Sequence, residues 1–157
     1  MASSTPHIIL LQTNGGKADE RPIFEAVVHT AAVTPGDLLL LSASGVTPNT
    51  NAADADAQKI FAIENPYLDP RISTSPAIDT DYAVGTVARY IFAQPGDLVY
   101  TWIETGHAAV ALGAALEASN VAGCLQAHST GRIIGYAAEA VDNSGGGTPA
   151  RIKVRIA

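Results

Sequence analysis

Cysteine, tryptophan and methionine each occur once in the 157 residues, and basic residues are scarce. The single cysteine, Cys124, cannot form an intramolecular disulfide, and we expect a small, buried, apolar residue there rather than a reactive thiol. Nine Lys and Arg stand against fifteen Asp and Glu, which gives a formal net charge of −6. Because phosphates reward clustered basic side chains, this balance argues against nucleic acid as a partner.

No apolar run approaches the eighteen or so residues that a membrane-spanning helix needs, so no membrane partner is expected. Residues 1–6 carry no basic side chain ahead of the short apolar run 8–11, which is unlike a secretory signal. We therefore expect a protein made in the cytoplasm. The length suits one domain that buries its core without disulfides or metals.

Residue types that bind metals or perform catalysis show no recognisable spacing. Asp54 and Asp56 lack the glycine and terminal glutamate of a calcium loop. The glycines at 145–147 lack the Lys-Ser/Thr of a phosphate loop. We therefore expect no metal, no cofactor and no catalytic residue. The histidines are scattered without ligand spacing: His7, His29, His107 and His128.

One short motif, Pro-Gly-Asp-Leu, occurs twice, at 35–38 and at 95–98. Proline presets φ for the first corner of a turn, glycine accepts the positive φ of the second, and aspartate bonds the nearby backbone. Apolar residues follow each copy. The motif therefore predicts two turns that each lead into a strand, and with them an all-β, compact, barrel-like domain of short antiparallel strands and long loops.

Strand signals recur along the rest of the chain. We expect the four leucines 38–41 to form a strand buried on both faces, and the strands 82–92 and 98–104 to pair. Composition at 107–119 favours a helix, but Gly113 interrupts it, so we predict two short extended pieces. The predicted strands are Ile23 to His29, Leu38 to Leu41, Lys59 to Ile63, Tyr82 to Phe92, Leu98 to Glu104, Gly131 to Asp142 and Ala150 to Ala157.

The last strand shows the clearest alternation, with apolar residues at 152, 154 and 156. Between them Arg151, Lys153 and Arg155 form a basic stripe. The stripe is either the polar face of an edge strand or a surface for an acidic partner.

Residues 1–22 differ from the remainder and are interpreted as an N-terminal arm, with 23–157 as a single β domain. The arm contains four consecutive apolar residues, Ile8, Ile9, Leu10 and Leu11. Leaving them in water would cost roughly 25 cal/mol for each Å² of apolar surface. They must therefore pack on this domain or on a neighbouring protein, and we name them as candidate partner-binding residues.

The stretch 77–85, Ala-Ile-Asp-Thr-Asp-Tyr-Ala-Val-Gly, resembles a motif of trimeric dUTP pyrophosphatases. In that family the aspartate orients the attacking water and the tyrosine packs under the deoxyribose, which points here to Asp79 and Tyr82. Pro70-Arg71-Ile72-Ser73 resembles the family's phosphate-binding Pro-Arg-Ser, although Ile72 splits it. The family's glycine-rich C-terminal segment is missing. This enzyme is therefore an alternative, as is a carbohydrate-binding β module. Trp102 lies in an apolar strand, where we expect it to pack in the core rather than to form a sugar platform.

The order of segments from Thr34 to the C-terminus resembles the small decoration, or cement, proteins of tailed bacteriophages. No single segment is diagnostic, and the order and spacing carry the resemblance. The segments are the two Pro-Gly-Asp motifs, Lys59 to Pro66, Asp81 to Gly85, Gly113 to Glu117, Arg132 to Ala140 and Ala150 to Val154.

The resemblance implies a β-tulip type of barrel that assembles as a homotrimer. Such trimers bind the major capsid protein at three-fold and quasi-three-fold sites on the outside of a mature head. They brace the shell against the pressure of the packaged DNA. The function expected is therefore structural rather than enzymatic, with the arm residues 8–11 adding a strand to the capsid protein.

Overall fold

The computed structural model describes residues 5–14, 21–68, 71, 73–106 and 108–157. Over these ranges the chain forms eleven β-strands, one 3₁₀ turn at Ala77–Asp79 and no α-helix. The predicted all-β, barrel-like class is confirmed. The strands are β1 (Leu10–Gln12), β2 (Phe24–Val27), β3 (Leu39–Ser42), β4 (Gly45–Pro48), β5 (Ile60–Ala62), β6 (Val87–Phe92), β7 (Leu98–Ile103), β8 (Ala115–Ala118), β9 (Leu125–Ala127), β10 (Gly135–Ala137) and β11 (Ala150–Ile156).

Five of the strands close into a barrel. Antiparallel pairs run in the order β7, β11, β10, β8 and β9, and a parallel bridge from Leu125 to Ile103 returns β9 to β7. β1 pairs with the start of β7, where Leu10 lies opposite Val99. Closure satisfies backbone groups that an open sheet would leave unpaired at its edges.

A second sheet, in the order β2, β6 and β5, and the β3–β4 hairpin form a further layer. Strand β5 joins this layer to the barrel. Phe61 is buried in the barrel core, whereas its neighbour Ile60 is buried in a second cluster with Leu39 and Val46. Successive side chains of a strand point to opposite faces, so one strand supplies both clusters.

Both Pro-Gly-Asp motifs form the predicted turn. In each, the aspartate N–H donates to the carbonyl oxygen three residues earlier at 3.0 Å. Gly36 and Gly96 have φ values of +95° and +90°, which side chains larger than hydrogen rarely tolerate. The first turn leads into β3 and the second into β7.

Three expectations about the strands are wrong. β6 and β7 do not pair, because the second Pro-Gly-Asp turn carries the chain from the second sheet into the barrel. β11 is not an edge strand, since β7 and β10 flank it. The strand of leucines is not buried on both faces: Leu39 is buried, whereas Leu41 is 40% exposed near the turn of the β3–β4 hairpin.

Other strand predictions are confirmed in place. β5 and β11 fall where expected, and Ile152, Val154 and Ile156 are buried on one face of β11. Gly113 takes a turn with φ of +82°, and β8 follows it as an extended segment rather than a helix. Of the predicted strand at 131–142 only β10 forms, and the short strands β4 and β9 were not predicted.

Candidate partner-binding surface

The candidate contact residues 8–11 lie against the chain's own barrel. Ile9 is fully buried in the barrel core, and Leu10 and Leu11 are half-buried against it. The backbone N–H of Ile9 donates to Glu64 Oε2 at 3.0 Å. Ile8 is 47% exposed. Since β1 already pairs with β7, it is the Ile8 side chain that the structure leaves facing outward.

A buried ion pair holds the chain that follows β1. Asp97 is 0% exposed, and its Oδ1 accepts hydrogen bonds from Asn14 N at 3.1 Å and Arg21 Nη2 at 2.5 Å. Asn14 Nδ2 also donates to Pro95 O at 3.0 Å. A buried carboxylate is strongly unfavourable without such partners. These contacts therefore fasten the N-terminal segment to the second Pro-Gly-Asp turn.

Exposed apolar side chains continue from Ile8 onto the second sheet. Ile8 and Ile23 line one cavity of about 160 Å³, and Ile23 is also 47% exposed. Phe24 follows Ile23 at the edge of that sheet and is 42% exposed, and Phe92 beside it is 39% exposed. We call Ile8, Ile23, Phe24 and Phe92 the apolar band. Groups of exposed apolar side chains such as these are typical of protein interaction sites.

Aromatic packing fixes the centre of the apolar band. The Phe24 ring stacks on Tyr90 with centroids 5.8 Å apart and meets Phe92 edge-to-face at 5.1 Å. The register explains this contact, because Phe24 lies opposite Tyr90 and Phe92 shares that face of β6. Sequence reasoning did not single out the two phenylalanines. The exposure of Phe24 depends on β2 being an edge strand, which one sequence does not show.

The predicted basic stripe on β11 is largely engaged within the chain. Lys153 Nζ lies 3.1 Å from Glu139 Oε2, and Arg151 Nη2 lies 3.2 Å from Asp79 Oδ1. Arg155, which is exposed, donates to a backbone carbonyl at 2.9 Å. Two of the three charges are thus already paired, which leaves less for an acidic partner.

A cleft of about 440 Å³ lies beside the first Pro-Gly-Asp turn. Trp102 forms one wall, and the Arg151 guanidinium covers its ring at 3.8 Å from the centroid. Asp37 lines the cleft but is only 6% exposed. Burial raises the pKa of its carboxyl to about 7; the hydrogen bond from Thr34 N opposes this rise, the charge of Asp81 adds to it, and Arg151 opposes it.

Cys124 also lines this cleft, and it is buried as expected. Burial, followed by the charges of Asp37 and Glu104, raises the pKa of the thiol to about 12. The thiolate is the reactive form, so Cys124 is a poor nucleophile at neutral pH.

The residues that resemble the pyrophosphatase motif are engaged in structural contacts. Asp79 pairs with Arg151, and Asp81 Oδ1 accepts a hydrogen bond from Thr34 Oγ1 at 2.8 Å. The Tyr82 hydroxyl is buried and donates to Ile63 O at 2.9 Å. In the segment that resembles the phosphate-binding Pro-Arg-Ser, Pro70 and Ile72 lie outside the described residues.

Across the part of the chain that the structure describes, no three His, Cys, Asp or Glu side chains come together as a metal site. In the same part, no helix is long and apolar enough to cross a bilayer. Asp54 and Asp56 instead form a local loop contact, in which Asp56 N donates to Asp54 Oδ1 at 2.9 Å. A scan of protein-family models finds none that matches this chain, and no curated protein sequence matches it either.

Proposed function

We propose that the chain is a capsid decoration protein of a tailed bacteriophage. It binds the major capsid protein on the outer surface of the mature head, as a homotrimer at three-fold and quasi-three-fold sites. There it stabilises the shell against internal DNA pressure. The observation that carries the proposal is the apolar band, a group of exposed aromatic and aliphatic side chains on a protein of net charge −6.

The fold supports the proposal because the segments behind the resemblance build the framework of the molecule. The two Pro-Gly-Asp turns lead into β3 and β7, and the segments from 59, 132 and 150 contain β5, β10 and β11. None of these segments needs to touch a partner. Their common role is to build the scaffold that carries the apolar band.

The contact residues follow from exposure. Ile8 contributes its side chain to the partner, while Ile9, Leu10 and Leu11 hold that side chain in place on the barrel. Each protomer adds one modest apolar contact, and a trimer engages three at once. Linked contacts raise the overall affinity well above that of one site, and binding to the folded shell stabilises it by mass action.

The geometry favours this function over the two alternatives. A pyrophosphatase needs a free aspartate to orient water, whereas Asp79 is paired with Arg151. A sugar site needs an open aromatic platform, whereas the Trp102 ring carries the Arg151 guanidinium at 3.8 Å.

Sedimentation with phage shells tests the proposal. Purified protein is mixed with emptied, expanded heads and with unexpanded procapsids of the phage that encodes it, and both mixtures are pelleted. We expect co-sedimentation with expanded heads alone, and a trimer by light scattering. Failure to pellet with either shell contradicts the proposal, and so does measurable dUTP hydrolysis well above a blank.

Matched variants test the apolar band. Ile8→Asp and Phe24→Ser should each weaken binding to expanded heads by about tenfold or more, because the apolar contact is lost. Leu112→Ser changes an apolar residue that is 70% exposed outside the band, and it should bind like the wild type. Equal binding by all three variants would remove the band from the interface.

A further inference from the structure

The two Pro-Gly-Asp turns share several polar contacts. In the first, Thr34 N donates to Asp37 Oδ2 at 2.8 Å, and in the second Gln94 N donates to Asp97 Oδ2 at 2.8 Å. Each turn also receives a side-chain donor on its proline carbonyl. Arg151 Nη1 donates to Pro35 O at 2.8 Å, and Asn14 Nδ2 donates to Pro95 O at 3.0 Å.

The difference lies at the other carboxyl oxygen. Asp97 Oδ1 is occupied by a backbone N–H from Asn14 and by the guanidinium of Arg21. Among the described residues, Asp37 Oδ1 accepts no hydrogen bond and Asp37 forms no ion pair. Because Oδ2 is taken up inside the turn, Oδ1 is the oxygen left for a group that enters the cleft.

Asp37 lines this cleft together with apolar side chains. Asp37 is more than nine-tenths buried, and its carboxyl lies against Gly123, where an added Cβ would come within 2.4 Å of Oδ1. Trp102, Pro48 and Pro149 provide apolar walls. A volume of about 440 Å³ is in the range of sites that hold small ligands or single side chains.

Charge favours a cation in this cleft. The groups that face Asp37 are the carboxyl of Asp81, the guanidinium of Arg151 and the thiol of Cys124. Arg151 is already paired with Asp79, so three carboxyl groups share one cation. The excess of carboxyl groups here therefore favours a second cation.

We propose that the cleft between Asp37 and Trp102 binds an arginine side chain from a partner protein, with its guanidinium donating to Asp37 Oδ1 as Arg21 donates to Asp97. Arginine is favoured over lysine because its planar fork bonds a carboxylate while its face packs on the apolar walls of the cleft, Pro48 and Pro149. The site does not depend on which partner supplies the arginine. The test of this arginine site is therefore independent of the proposed decoration function.

The test uses Trp102, which is the only tryptophan and lines the cleft. Nα-acetyl-arginine amide is titrated into the full chain at pH 8, with the lysine and citrulline analogues as comparators. Tryptophan fluorescence and the indole N–H resonance are followed. We expect a saturable response to the arginine probe, a weaker one to lysine and none to the uncharged citrulline.

Two variants separate binding at this carboxyl from binding elsewhere. Asp37→Asn keeps a side-chain oxygen that can accept the hydrogen bond from Thr34 N but removes the charge. It should weaken binding of the arginine probe by about tenfold or more. Ala122→Phe fills the cleft from an exposed lining position and should weaken it as well. Affinity of the wild type should also fall from pH 8 to pH 6 as Asp37 takes up a proton, and that pH dependence should vanish in Asp37→Asn. An unsaturable response, equal affinity for lysine, or unchanged affinity in Asp37→Asn overturns the proposal.

Discussion

Asp37 and Asp97 occupy the same position in two similar turns but differ in their electrostatic surroundings. Asp97 is balanced by Arg21, whereas Asp37 is buried without an ion pair among the described side chains, and its pKa is raised to about 7. The unfolded carboxyl titrates near 3.8. Protonated Asp37 therefore adds stability that is complete below about pH 4 and is lost as pH rises to 7.

Replacing Asp37 by Asn should remove this pH dependence. Between pH 4 and pH 8 the wild type should lose about 3 to 4 kcal/mol of unfolding free energy relative to Asp37→Asn. Urea unfolding at a series of pH values measures the difference. Asp56→Asn, at an exposed loop position, is the control and should follow the wild type. Parallel stability curves for wild type and Asp37→Asn would contradict the raised pKa.

Glu117 is the opposite case, a buried carboxylate that is fully provided with donors. Burial alone would raise its pKa. Hydrogen bonds from Gln126 Nε2, Ser129 Oγ and the backbone N–H groups of Thr130 and Gly131 outweigh that effect and lower the pKa to about 2. Its contribution to stability is therefore present above about pH 4.5 and is lost as pH falls toward 2.

Glu117→Gln should destabilise the fold at neutral pH. The glutamine NH₂ group takes the place of one carboxylate oxygen, and it then faces N–H and O–H donors instead of accepting hydrogen bonds from them. We expect a loss of about 1 to 3 kcal/mol at pH 7 and a smaller one near pH 3. Urea midpoints at the two pH values give the comparison. Glu25→Gln changes an exposed carboxylate, 62% accessible, and should have little effect at either pH. An equal loss at both pH values would mean that the charge is not what matters.

At the scale of elements, β1 depends on the segment that follows it. Arg21→Gln leaves the buried Asp97 carboxylate without its cation and should cost about 3 kcal/mol of unfolding free energy. The double variant Arg21→Gln with Asp97→Asn should cost less than the sum of the two single changes, since neither charge is then left alone. Glu25→Gln, which changes an exposed charged residue on β2, is the control. Additive losses in the double variant would show that Arg21 and Asp97 do not act as a pair.

Local signals predicted the elements that are determined locally. The Pro-Gly-Asp turns follow from the backbone preferences of three residues, and β11 follows from strict alternation. Pairing is not local. Nothing near Leu98 indicates that β7 will pair with strands at the two ends of the chain, β1 and β11, rather than with β6.

The candidate site was predictable only in part, for the same reason. Four apolar residues at 8–11 had to be covered, and that much follows from their hydrophobicity. Which of them remains exposed depends on the register of β1 against β7. The exposure of Phe24 depends on the edge position of β2, and the cleft at Asp37 depends on loops far apart in sequence, at 123 and 149.

At the scale of the whole molecule, the apolar band crosses from the barrel to the second sheet. Ile8 precedes β1 on the barrel, while Phe24 and Phe92 lie in β2 and β6. The band therefore keeps its shape only if the two layers behave as one body. β5 provides the link, because Ile60 and Phe61 are buried in different clusters on opposite sides of one short strand.

This link predicts a single cooperative unfolding transition. Ile60→Ala removes a buried side chain from the second cluster and should cost about 2 to 5 kcal/mol. The loss should appear equally in the fluorescence of Trp102, on the barrel, and in the ring resonances of Tyr82, in the second cluster. Ile8→Ala, at an exposed position, is the control and should shift neither probe. A Tyr82 transition that precedes the Trp102 transition would mean that the layers separate, and the apolar band would then be divided before the barrel unfolds. Coincident transitions mean that any force on the band is borne by both layers through β5.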